Sequence, residues 1–117
     1  MNLNQIVANA VDRLRKARHL EGLLEKANFN ICINSGDHGT WMLHFRESEV
    51  ILKNLIDDEE SYDIRIEGES KQLSELLQGD DFLLAMKNRG DISVTGSLKD
   101  LLLLESLLYL SKGSVIG

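Results

Sequence analysis

The amino-acid sequence predicts an α/β domain of the α+β type, a five-stranded, mainly antiparallel sheet with helices covering one face. Three observations carry that prediction. Apolar residues recur every three or four positions from Leu3 to Ala27, every second position from Phe29 to Ile66, and again at helical spacing over most of the remainder. Gly36, Gly39, Gly79, Gly90 and Gly96 fall where one period gives way to the next. A chain of 117 residues, 43% hydrophobic and 27% charged, suits one core and is too short for two, so residues 1–117 read as a single domain.

The first element is amphipathic: Leu3, Ile6, Val7, Ala10, Leu14 and Ala17 form an apolar stripe opposite Asp12, Arg13, Arg15, Lys16 and Arg18. His19 and Leu20 can interrupt it before Leu20, Leu23, Leu24 and Ala27 resume the spacing, so residues 1–27 form either one long helix or two short ones. Residues 28–110 supply the sheet and its covering helices. Phe29, Ile31 and Ile33 alternate with Asn30, Cys32 and Asn34, and Trp41, Leu43 and Phe45 alternate with Met42, His44 and Arg46. Between them Gly36-Asp37-His38-Gly39 predicts a hairpin whose three-residue loop puts Gly39 in the left-handed position and Cys32 opposite His44. A tight Glu47-Ser48 turn leads to a third strand, Glu49 to Lys53. Tyr62 to Glu67 alternates as a fourth, and the whole reads as an antiparallel meander with one packed and one wet face.

Past the meander, Ser70 can cap a helix carrying Leu73, Leu76 and Leu77 that Gly79 ends, and Asp80 can cap another over 82–88 that Gly90 ends. Ile92 and Val94 make the fifth strand. Gly96-Ser97 turns the chain, and Ser97 with Asp100 forms a shortened capping box ahead of the closing helix. Wound at about 100° per residue, the leucines of that helix, from Leu98 to Leu110, go all the way round the cylinder. It is shorter than the roughly 20 residues that span a bilayer. Its apolar cover must come from a second layer of the domain, from another subunit or from an apolar ligand.

A formal charge of -6 and an isoelectric point near 5.0 argue against a nucleic-acid partner, and leave lipid contact to apolar surface. The start Met1-Asn2-Leu3-Asn4-Gln5 lacks the pattern of a secretory signal, and Cys32 is the one cysteine, which points to a reducing cytoplasm. No full catalytic constellation is present. Cys32 and His44 could make a thiol–imidazole pair or half a zinc site, but Asn30, Asn34, Met42 and Arg46 offer no third ligand. Asp57, Asp58, Glu59 and Glu60 lack the alternation and central glycine of a calcium loop and read as a solvated acidic loop. The glycines form no phosphate-cradling motif. The basic side from Arg13 to Arg18 is the polar face of an amphipathic helix, able at most to touch acidic headgroups transiently.

The run Tyr62-Asp63-Ile64-Arg65-Ile66-Glu67, the helix with Leu73 and Leu76, Gly79, Ala85, the spacing Gly90-x-Ile92-x-Val94-x-Gly96 and the apolar closing helix resemble the sterol carrier protein type 2 family over Leu20 to Leu110. The resemblance implies helices on one face of a curved five-stranded sheet, a hydrophobic tunnel between the layers, and binding or transfer of sterols, fatty acids or acyl chains without catalysis. The residues expected to line such a cavity are Trp41, Leu43, Phe82, Leu83, Met86, Leu101, Leu104 and Leu108. No metal or cofactor is expected, and the partner would be a lipid-like apolar small molecule. The alternative is a homodimerising interaction module with no small-molecule ligand.

Overall fold

Across residues 2–54 and 61–112, a computed structural model describes the order α1 (Leu3–Lys16), a 3-10 turn (Arg18–Leu20), α2 (Glu21–Leu24), β1 (Phe29–Asn34), β2 (Thr40–Arg46), β3 (Glu49–Asn54), β4 (Ile64–Glu67), α3 (Ser70–Leu77), α4 (Leu83–Arg89), β5 (Ser93–Thr95) and α5 (Leu98–Lys112). The acidic run from Asp57 to Glu60 lies outside the described residues.

The five strands lie in the order β3-β2-β1-β4-β5. Three neighbouring pairs are antiparallel, while β1 and β4 run parallel. The sheet is thus mainly antiparallel, but the expected meander is corrected at β4, which lies beside β1 and not beside β3. Alternation is the same for a strand in either orientation, so the period could not reveal this. Register builds continuous inward rows, one running Leu52–Leu43–Ile31–Ile64 and another Trp41–Ile33–Ile66–Val94.

The two hairpins differ in how well their sequences suit them. Between β1 and β2 the loop has five residues, Ser35 to Gly39, because Asn34 pairs with Thr40. Gly36 to His38 form a 3-10 turn, closed by Ser35 N–H on the Gly39 carbonyl, and Gly39 at φ 126° and ψ 179° is nowhere near the left-handed helical region. The expected register is therefore off by two: Cys32 faces Met42, and His44 faces Asn30 and Ile51. The Glu47-Ser48 turn is as tight as expected. Both residues carry positive φ, 52° and 65°, where a side chain costs about 1–2 kcal/mol. Ser48→Gly is accordingly expected to stabilise the domain by about 1 kcal/mol in urea titrations.

Helices cover one face, and their buried side chains join the inward strand residues in a single cluster. The N-terminal segment is broken at Ala17 (φ -82°, ψ 79°). At about 100° per residue, Leu20, Leu24 and Ala27 would drift roughly a quarter turn away from the Leu3–Leu14 stripe in a straight helix. The break re-aims them, and all three are buried. Helices α3 and α4 end alike: Gly79 and Gly90 take φ 77° and 82°, and the residue after each glycine donates back five positions, Asp80 to Glu75 and Asp91 to Met86. Ser97 caps α5 through its hydroxyl, which accepts from Asp100 N–H at 3.2 Å. From α1, Arg15 Nε donates to the Val50 carbonyl on edge strand β3 at 2.8 Å.

The outer face is less wet than expected, because Cys32 and Met42 at its centre are buried. They sit in one row with Lys53 on one flank and Arg65 on the other, side chains whose stems are long enough to shield apolar neighbours.

Candidate functional site

The candidate site is the apolar layer between the sheet and α4–α5. Trp41 and Leu43 enter it because a period of two points both inward from β2. Trp41 satisfies its one polar atom at the margin, where the indole Nε1 donates to Asn4 Oδ1 of α1 at 3.0 Å. Leu83 and Met86, three apart, face inward from α4, while Leu101, Leu104 and Leu108 do so from α5. These seven residues are at most 3% exposed and belong to one continuous core. The start of α5 lies directly on β4: a Cβ added at Gly96 would come within 3.1 Å of Ile64 Cγ1 and 3.3 Å of Leu101 Cδ2.

Phe82 stands apart from the other seven. Helix α4 begins one residue later than its spacing suggests, so Phe82 becomes the extended N-cap residue (φ -99°, ψ 135°) and its N–H is taken by Asp81 Oδ1 at 2.8 Å. Its ring stays 44% exposed and packs on Tyr109 of α5, with centroids 4.8 Å apart.

Two features of the layer escaped the sequence reading. Glu105, set among leucines, accepts the Leu84 N–H at 3.0 Å and so caps α4 from the neighbouring helix. An acid inside an otherwise apolar helix was the available signal. Leu107 is fully buried as well, as its place three residues after Leu104 would suggest. At the rim, Arg13 donates to the Leu77 carbonyl at the end of α3. Burial pushes its guanidinium below its ordinary pKa, and the nearby Asp80 opposes that shift.

The outer side of α5 remains apolar and open, with Leu98, Leu102, Tyr109 and Leu110 all more than 40% exposed. A subunit-interface role for this helix would not involve Leu104, which is buried within its own chain. The surface depressions of about 270 to 760 Å³ are lined by other residues than the eight. Among the described residues no three His, Cys, Asp or Glu side chains converge as a metal site requires, and no helix is long and apolar enough to cross a membrane. What the layer can do chemically is exclude water and pack against hydrocarbon.

No protein-family model matches the chain, and no curated protein matches its sequence significantly. Solved structures do match. A ubiquinone synthesis protein, UbiJ-SCP2, superimposes with a TM-score of 0.74 at 16% identity, over 94% of this chain and 90% of that one. The sterol carrier protein domain 2 of Helicoverpa armigera gives 0.68 at 17% identity, over 92% and 89%. The palmitated SCP2L2 of Aedes aegypti gives 0.66 at 12% identity, over 93% and 96%. At such identities the likeness is one of architecture. The chain has the fold of the sterol carrier protein 2 domains.

Proposed function

We propose that the chain is a non-catalytic, cytoplasmic carrier that binds or transfers a lipid-like apolar molecule, a sterol, fatty acid or acyl chain, between the sheet and α4–α5. The observation that carries this reading is the two-sided apolarity of α5. Its inner leucines pack on the sheet layer, while Leu98, Leu102, Tyr109 and Leu110 face outward and stay more than 40% exposed among the described residues, Tyr109 with only the half-exposed Phe82 against it. A helix that only closed a core would gain nothing from an apolar back. One able to move outward as an acyl chain enters would exchange leucine–leucine contacts for leucine–ligand contacts at little net cost. The palmitated neighbour from Aedes aegypti supports the ligand class, since that protein carries a fatty acid on the same architecture.

A fluorescent fatty-acid analogue is expected to bind at micromolar concentration, roughly 8 kcal/mol of binding free energy, and to be displaced by unlabelled palmitate. The same exposed residues of α5 also favour a homodimer closed by that face. Native mass spectrometry separates the two: a monomer retaining lipid supports the carrier, and a lipid-free dimer with no analogue binding overturns it.

A further inference from the structure

A crevice lies at the carboxyl ends of β1 and β4, the parallel pair. The chain leaves these two strand ends in opposite directions: after Asn34 it turns back into β2, and after Glu67 it runs through α3 toward β5 on the other side. Divergence at neighbouring carboxyl ends opens a crevice between the departing segments, the place where sheets with parallel strands hold ligands. Here it encloses about 410 Å³, with Ser35, Gly36 and His38 on one wall and residues 68–71 on the other.

The chemistry of the walls is that of an anion site. Helix α3 has eight residues and starts at this crevice. Its N-cap residue, Glu69, makes no side-chain cap, and its first internal bond is the one from Leu73 N–H to the Glu69 carbonyl. The N–H groups of Ser70, Lys71 and Gln72 are thereby left without an acceptor among the described residues, at the positive end of the helix. The opposite wall does not compete for this role, because the N–H groups of Ser35, Gly36 and His38 are already bonded, to Gly39 O, Asn34 Oδ1 and Ser35 O.

An independent observation points the same way. Ser35 lines the crevice, is 4% exposed, and its hydroxyl has no hydrogen-bond partner among the described residues. It follows the last residue of β1 directly and lines the same depression as Ser70 and Lys71, the first residues of α3. A buried donor left unmade is costly unless something fills it. Lys71 and His38 bring further donors to the rim, and among the described lining residues Glu69 is the one opposing charge.

We propose that this crevice binds a phosphate monoester through the Ser70, Lys71 and Gln72 N–H groups and the Ser35 hydroxyl, with Lys71 supplying charge. A lipid headgroup and a soluble phosphate ester share that chemistry. None of the eight residues expected to line the apolar cavity lines the crevice, so the assignment stands whether or not the layer takes a lipid.

The test is an amide NMR titration of the full ¹⁵N-labelled chain with inorganic phosphate, against chloride at equal ionic strength. Saturable shifts at Ser70, Lys71 and Gln72 are expected with phosphate alone. Lys71→Glu is expected to weaken binding about ten-fold and Ser35→Ala about three-fold. Ser35→Ala should melt no lower than the parent, because it removes a hydroxyl that has no partner among the described residues. Sedimentation with phosphatidylcholine vesicles, with and without phosphatidic acid, then assigns the source. Binding that needs phosphatidic acid and is lost in Lys71→Glu identifies a headgroup; phosphate shifts without vesicle binding identify a soluble ester. Absence of saturable shifts at these three amides, or shifts unchanged in both variants, overturns the proposal.

Discussion

Leu104→Asp is expected to unfold the domain. Leu104 is 2% exposed and lies in the layer where α5 meets the sheet. The substitution removes a buried isobutyl group and puts a carboxylate in its place with no buried cation described beside it. Together these cost roughly 5 kcal/mol or more, comparable to the whole stability of a typical domain at about 5–15 kcal/mol. The buried Trp41 reports the loss, since its emission should shift to that of a hydrated indole even without denaturant. A folded monomer with a buried indole would show instead that Leu104 is not in the core. Leu104→Ala is the gentler companion, expected to cost about 3 kcal/mol in lipid-free protein. If hydrocarbon can occupy this layer, saturating palmitate should raise the melting temperature of Leu104→Ala more than that of the parent, because the ligand fills the space the truncation leaves.

The second large effect is expected at Gly79, where two penalties coincide. Its φ of 77° disfavours any side chain by about 1–2 kcal/mol, and a Cβ there would meet the Leu108 carbonyl of α5 at 3.0 Å and Lys112 Cβ at 3.2 Å. Gly79→Ala should therefore cost roughly 3 kcal/mol by chemical denaturation. Gly90 is the internal control: it closes α4 in the same way at φ 82°, but a Cβ there meets nothing within 4 Å. Gly90→Ala should show the backbone penalty alone, about 1–2 kcal/mol. The difference between the two variants measures how tightly the end of α3 is seated on α5; equal losses would mean that the seat is loose.

Much of the architecture was legible because it depends on local period and punctuation. Inward rows such as Trp41, Leu43 and Phe45 follow from alternation, the ends at Gly79 and Gly90 follow from glycine's access to positive φ, and Ser97 announces its helix. What was not legible depends on pairing and on margins of one residue. Orientation leaves no mark on alternation, which hid the parallel β1–β4 pair and, with it, the crevice between their ends. The hairpin register turned on whether Ser35 and Gly36 belong to the strand or to the loop, and so the supposed Cys32–His44 pair dissolved. Phe82 left the apolar layer because α4 starts at Leu83, a shift that no hydrophobic count resolves. For the layer itself, the sequence named seven side chains that do come together, while the roles of Asn4 and Glu105 required knowing which helices are neighbours.

The contact between Arg15 and the Val50 carbonyl reaches beyond the fold of a single chain. β3 ends the sheet, and Ile51 beside Val50 is 46% exposed, so this border offers both an acceptor and an apolar side chain to any extended segment that drifts alongside. A guanidinium occupying that carbonyl obstructs the pairing near the start of the strand, and its charge disfavours the dry contact that strand addition requires. The first helix thus sets a charged side chain from its polar side against the border of the sheet where strand addition would otherwise begin, which should disfavour self-association there.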